Sequence, residues 1–168
     1  NFIQQHYKNF SSMSWVYSCG AGANYGTALE SALKMGETIH IPSCCYEIEE
    51  YIHGPNLQLT PQYNVIFFDG NDGASRRVEQ VYKATRKVTN RAYLISNNPQ
   101  LSRDGHVLSL SDTVSSELSP LVYLPFVQLL SFIVSNDLHS IYQHPLLKEF
   151  KAIAAAKTEN FVNYDGDD

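Results

Sequence analysis

A chain of 168 residues, 43% hydrophobic and 17% charged, suits one globular domain and excludes a disordered polymer. Seventeen acidic against twelve basic residues give a net charge of −5, which speaks against nucleic acid as a partner, because counterion release needs a basic face. At this length folding buries roughly 70% of the unfolded surface, so no disulfide or metal staple is required.

The chain begins at Asn1, not at Met, which leads to the expectation of a preceding segment. No apolar run reads as a signal peptide or a membrane span. The most apolar stretch, Leu118 to Val134, is broken by Pro120, Pro125, Gln128 and Ser131 and reads as a buried helix. Three cysteines, two of them adjacent, show neither a disulfide framework nor a zinc spacing. Reduced thiols in a cytoplasmic protein follow, with no metal and no cofactor.

In chain order, Trp15 to Cys19 reads as a first strand running into the small-residue turn Gly20-Ala-Gly-Ala23. A helix is predicted over about Tyr25 to Gly36, with Ala28, Leu29, Ala32, Leu33 and Met35 as its apolar positions. Ile39 to Ile41 is a short apolar run stopped by Pro42, and Tyr46 to Ile52 a brief helix ended by Gly54-Pro55. Asn64 to Asp69 is the clearest strand, apolar throughout as a sheet covered on both faces demands. A turn at Gly70 to Gly73, a helix over Ser75 to Lys87, strands at Arg91 to Ser96 and Val107 to Leu110, and a long helix over Glu117 to Asn136 follow. The alternation predicts an α/β fold, a three-layer α/β/α sandwich with a mostly parallel sheet, over residues 1–143. Residues 144–168 form a C-terminal arm with a helical stretch at Leu146 to Ala156 and an acidic, fraying end.

Three features could carry chemistry. Gly20-Ala-Gly22 followed by Gly26 is one residue too long for the dinucleotide fingerprint, and no acidic residue stands where a ribose would need it. Such a turn still offers backbone N–H groups to a small anionic or hydroxylated ligand, so Gly20, Gly22 and Asn24 are candidate substrate-binding residues; its plainer role is close packing of strand and helix. Glu30, Lys34 and Glu37 share one side of the helix. The first two read as a routine i,i+4 pair. Glu37 falls just past Gly36, where the helix is predicted to end and the dipole gives a carboxylate nothing. His53 closes the next short helix, where the dipole favours its protonated form; Gly54-Pro55 fixes the chain's exit, and Glu49 and Glu50 are within reach by sequence. The plainer reading there is a surface histidine among acidic residues.

Read together, Gly20-Ala-Gly-Ala-Asn-Tyr-Gly-Thr-Ala-Leu-Glu-Ser-Ala-Leu-Lys-Met-Gly-Glu37 and Tyr46-Glu-Ile-Glu-Glu-Tyr-Ile-His-Gly-Pro55 resemble the second sugar-isomerase (SIS) domain of two-domain enzymes. That family, with a flavodoxin-like sandwich, includes the isomerase half of glucosamine-6-phosphate synthase and the bacterial fructosamine-6-phosphate deglycases. The resemblance is strong over about Tyr17 to Asn56 and weaker over Glu117 to Leu130. By position it implies that Glu37 is the catalytic glutamate and His53 the ring-opening histidine. The family's histidine reaches a neighbouring subunit's site, which implies a homodimer with a shared active site. A lysine in the family's arm corresponds to Lys157, with Lys148 and Lys151 as alternatives. The family's phosphate loop is rich in Ser and Thr and lies in its first domain. The nearest segment here, Asp69 to Ser75, is acidic and would repel a phosphate, so that half of the site is expected outside this chain.

The implied reaction moves a proton between C1 and C2 of an open-chain sugar phosphate through an enediol, with Glu37 as the base and His53 as the ring-opening group. The implied ligand is a phosphorylated sugar or a sugar–amine conjugate. The stretch before His53 is closer to the deglycase branch than to the synthase, as is His144-Pro-Leu. The alternatives are a ketose–aldose aminosugar-phosphate isomerase and a non-catalytic sugar-phosphate sensor.

Overall fold

The computed structural model describes residues 2–110, 114–140 and 153. Five parallel strands, β1 (Val16–Gly20), β2 (Ser43–Glu47), β3 (Asn64–Asp69), β4 (Ala92–Ser96) and β5 (Val107–Ser109), lie in the order β2-β1-β3-β4-β5. The helices among the described residues are α1 (Phe2–Gln5), α2 (Tyr7–Ser11), α3 (Ala23–Ile39), α4 (Ile48–Ile52), α5 (Ser75–Thr85) and α6 (Ser119–Asp137). Strands β1, β3 and β4 are buried at every position, because helices cover both faces.

Alternate residues along the strands feed two cores. Ile66, Phe68, Tyr93 and Ile95 meet Ala28, Met35 and Ile39 of α3, Tyr123, Val127 and Leu130 of α6, and Ile3 and Phe10 of α1 and α2. Cys19, Val65, Phe67 and Leu94 meet Ile48 and Tyr51 of α4 and Val78, Val81 and Tyr82 of α5 on the other face. The α/β/α sandwich expected from the sequence is therefore present, with α1, α2, α3 and α6 in one outer layer and α4 and α5 in the other.

Three elements differ from the sequence reading. Helix α3 does not stop at Gly36 but runs to Ile39 and is capped by His40 in the left-handed conformation (φ 62°). Gly36 serves packing instead: a Cβ there would lie 3.0 Å from the Ser43 hydroxyl of β2. The segment Ser43–Glu47 is an edge strand, and the short helix begins only at Ile48, with Glu47 accepting from the Glu49 amide (2.6 Å) as its N-cap. The N-terminal helices α1 and α2 precede the first predicted element, and their Ile3 and Phe10 enter the core.

Helices α3 and α6 run side by side in the same direction. The Asn24 amide donates to the Ser119 hydroxyl (2.7 Å) at their first turns, and the Ser140 hydroxyl donates to the Thr38 carbonyl (2.6 Å) past their last. By length and composition α6 could cross a membrane, but its inner side is core of the sandwich. Apart from residue 153, the arm at 144–168 lies outside the described residues, and so do Lys148, Lys151 and Lys157.

Candidate functional site

Strand order reverses between β1 and β3, so the loops that leave these two strands flank the switch point where open α/β sheets hold ligands. Both loops are the glycine-bearing ones singled out in the sequence. Gly22 has φ 54°, which a side chain rarely adopts, and a Cβ on it would meet a carboxylate oxygen of Asp72 at 3.4 Å. A Cβ on Gly70 would come within 2.9 Å of the Asn24 amide nitrogen and 3.3 Å of Asp72. The crevice is thus lined by an acidic side chain rather than left open for a phosphate.

The polar groups beneath it are committed to one another. Asp69 is buried and accepts from the Ser96 hydroxyl (2.7 Å), the Ser75 hydroxyl and the Asn71 amide (3.0 Å). The Tyr123 hydroxyl of α6 donates to the Asp69 carbonyl (2.7 Å) and accepts from the Asn97 amide (3.0 Å), and burial pushes the phenol up to about 12. Asn24 is buried as well; its amide donates to Ser119 and its carbonyl accepts from the Thr27 hydroxyl (3.0 Å). Gly20 is there for packing, since a Cβ would fall 2.3 Å from the Asn24 carbonyl oxygen. Of the three candidate binding residues, Gly20 and Asn24 thus hold the turn, and Gly22 sets its conformation.

Glu37 lies in the last turn of α3 rather than beyond it. A carboxylate there is disfavoured by the dipole, and Lys34 offsets this by bridging Glu37 and Glu30, the latter at 3.4 Å. The Glu37 side chain is 45% exposed. His53 is the exposed C-cap of α4, its amide bonded to the Glu50 carbonyl (3.1 Å). The neighbouring carboxylates are engaged elsewhere. Glu49 takes a bidentate bond from Arg77 of α5 (2.7 and 3.0 Å), which holds its carboxyl below the usual range, and Glu50 accepts from the Glu47 amide (3.3 Å).

These groups do not gather in one place. Asn24 and Glu37 stand thirteen positions apart on one helix, about 20 Å along the axis. Glu37 and His53 belong to helices on opposite faces of the sheet. A hollow of about 290 Å³ opens between α4 and α5, lined by Tyr51, Ile52, Asn56, Arg77, Gln80 and Thr85 among others but not by His53. The Asn56 side-chain oxygen is buried there with no partner among the described residues. No sequence signal marked this hollow, because its walls come from two segments, one ending at Leu59 and the other beginning at Arg77, that only the fold brings together. Among the described residues no group of three His, Cys, Asp or Glu side chains could hold a metal ion.

No family model matches the chain. It is 30% identical over 131 residues to the glutamine–fructose-6-phosphate aminotransferase (isomerizing) of Methanothermobacter thermautotrophicus, covering 76% of this chain and 22% of that one. The chain spans about a fifth of the length of the curated relatives it matches. Among solved structures, a phosphosugar-isomerase candidate from Clostridium difficile 630 superposes with a TM-score of 0.79 at 22% identity, over 95% of this chain and 44% of that one. The C-terminal domain of glucosamine-fructose-6-phosphate aminotransferase from Francisella tularensis gives 0.67 at 25% identity, over 79% and 38%.

Proposed function

The chain is a sugar-isomerase (SIS) domain, and we propose that it supplies the acid–base groups of a phosphosugar isomerase or deglycase, Glu37 from one copy and His53 from another. One observation carries this reading: both motif helices flank the same edge strand, β2, but from opposite faces. Within one copy neither side chain can reach a sugar held by the other; in a homodimer or higher assembly they can be shared.

The chemistry then follows from the two groups. His53 gives a proton to the ring oxygen as the anomeric hydroxyl loses its own, which opens the sugar. Glu37 takes a proton from C1 and returns it to C2 through an enediol or enaminol. For a fructosamine 6-phosphate the product is the imine of the aldose, and water hydrolyses it to an amine and glucose 6-phosphate. No metal or organic cofactor enters these steps. The deglycase branch is preferred on the Tyr46-Glu-Ile-Glu-Glu-Tyr51 stretch before His53. Backbone N–H groups of the Gly20–Gly22 turn, with Asn24 holding it, are assigned to hydroxyl recognition, and Lys157 to the arm's lysine. The acidic loop at Asp69–Gly73 gives a phosphate no cradle, so phosphate binding is assigned to a unit outside this chain and turnover by the chain alone is slow. A cytoplasmic setting accords with the three free thiols.

The test is to incubate the chain with a fructosamine 6-phosphate in D2O and follow glucose 6-phosphate release and deuterium at C2. Slow release is expected, lost in Glu37→Gln and strongly reduced in His53→Ala. Release by Glu37→Gln at the wild-type rate overturns the assignment. The Lys34–Glu37 pair favours a second reading, a sugar-phosphate sensor without catalysis, in which ligand binds but no deuterium enters the sugar.

A further inference from the structure

The hollow between α4 and α5 takes no part in the reaction proposed above. Two side-chain ties set the spacing of its helices. The Tyr51 and Thr85 hydroxyls meet at 2.9 Å, and Arg77 holds Glu49 through Nε and Nη2. Arg77 and Thr85 stand eight positions apart on α5, about 12 Å along its axis, so the gap is braced at two levels. Ile52, Leu59, Val81, Ala84 and Val88 give it apolar walls. Polar groups enter at two points. Arg77 commits Nε and Nη2 to Glu49, and among the described residues its Nη1 has no partner. The buried Asn56 oxygen has none either. A guanidinium offers a second two-nitrogen edge to a carboxylate, and a buried carbonyl oxygen calls for an N–H or O–H donor. A volume of about 290 Å³ lies at the lower limit of small-molecule sites and holds about ten waters. Water over apolar walls is poorly held, so an apolar group that expels it gains affinity.

We propose that this hollow binds a small carboxylic acid with a compact apolar body and one N–H or O–H donor beside the carboxylate, as in an apolar amino or hydroxy acid. The carboxylate takes the open edge of Arg77, the donor satisfies the Asn56 oxygen, and the body lies against Val81, Ala84 and Val88. A sugar phosphate does not suit these walls. Its hydroxyls would lose water against five apolar side chains, and its dianion would find one cation, already shared with Glu49.

The site is separate from the proposed catalytic groups but touches one of them through the chain. From Ile52 in one wall the backbone turns through His53, Gly54 and Pro55 and returns to the wall at Asn56. An occupant therefore braces the turn that carries His53. That consequence for catalysis rests on the role proposed for His53; the binding itself does not.

The experiment is a titration of the nitrogen-15-labelled chain, followed by backbone amide shifts, with L-leucine and 2-hydroxy-4-methylpentanoate as probes up to about 20 mM. Saturable shifts within residues 51–59 and 77–88 are expected, with Kd on the order of 1 mM. Leucinol, which lacks the carboxylate, and 4-methylpentanoate, which lacks the donor, should each bind at least about fivefold more weakly than leucine. Arg77→Gln should weaken leucine about tenfold, and Glu49→Gln should tighten it because a competing carboxylate is gone. Ala84→Trp fills the hollow from an exposed helix position and should abolish binding with unchanged far-UV circular dichroism. No saturable shift in these segments with either probe overturns the proposal. So does leucine binding at wild-type strength to folded Ala84→Trp or Arg77→Gln, and so does leucinol binding as tightly as leucine. A chain that binds but releases no glucose 6-phosphate upholds the site and removes only the proposed activity; release without binding does the reverse.

Discussion

Glu37 and His53 stand on opposite faces of one five-stranded sheet, with the edge strand β2 between their helices. The five described strands are all parallel, so each helix that connects two of them must lie on one face or the other. The step through α3 takes one and the short α4 takes the other. Residues that are sixteen apart in sequence are thereby separated by the sheet itself.

Gly20 and Gly26 make a contrast within one turn. Gly20→Ala drives a Cβ to 2.3 Å from a main-chain oxygen, which no rotamer relieves; we expect a loss of about 3 kcal/mol, at the top of the range for overpacking. Gly26→Ala meets nothing within 4 Å on an exposed helix position and should gain about 0.5–1 kcal/mol. Urea midpoints of the two variants check both signs.

Tyr123 ties α6 to the loops after β3 and β4 through one hydroxyl. Tyr123→Phe leaves the buried Asn97 amide and an acceptor at Asp69 without that partner. The expected cost is about 1–3 kcal/mol, measured by urea unfolding.

His106 lies against Tyr93 and His6, facing Arg86 and Asp104. Burial, then Arg86 and His6, pull its imidazole below the ordinary value, although Asp104 opposes them. The unfolded chain therefore takes up a proton near pH 6.5 that the fold resists. Stability is full above that pH and falls as pH drops below it. Urea midpoints at pH 7.5 and 5.5 should differ more for wild type than for His106→Gln.

The three thiols should react in a fixed order. Cys44 is exposed on the edge strand, Cys45 is half-buried with its thiol pushed up to about 11, mostly by burial, and Cys19 is enclosed in the core. A disulfide reagent at pH 8 should label one thiol fast, a second slowly and the third only in denaturant. Cys44→Ser should remove the fast phase.

What could be read before any coordinates followed from burial. Strands β1, β3 and β4 are covered on both sides, so their apolar runs announce them. Edge strand β2 is half covered, and Ser43-Cys-Cys-Tyr-Glu47 shows neither a run nor an alternation strong enough to distinguish it from a loop. Gly36 looked like a helix stop, but its role is set by Ser43, a contact that only the folded chain creates. The residues of the candidate site were visible as motifs. Their separation was not, because the face each helix takes is a property of the crossover. For the same reason the Asp72 carboxylate beside Gly22 could not be foreseen.

Subunit mixing tests the shared site most directly. Glu37→Gln chains, inactive alone, and His53→Ala chains, strongly impaired alone, are unfolded together in equal amounts, refolded and assayed for glucose 6-phosphate release beside wild type. If one copy supplies Glu37 and another His53, random reassembly restores about a quarter of the wild-type rate, since one site in four pairs the two intact side chains. A mixture that stays as inactive as its separate components, while wild type treated in the same way is active, contradicts the account.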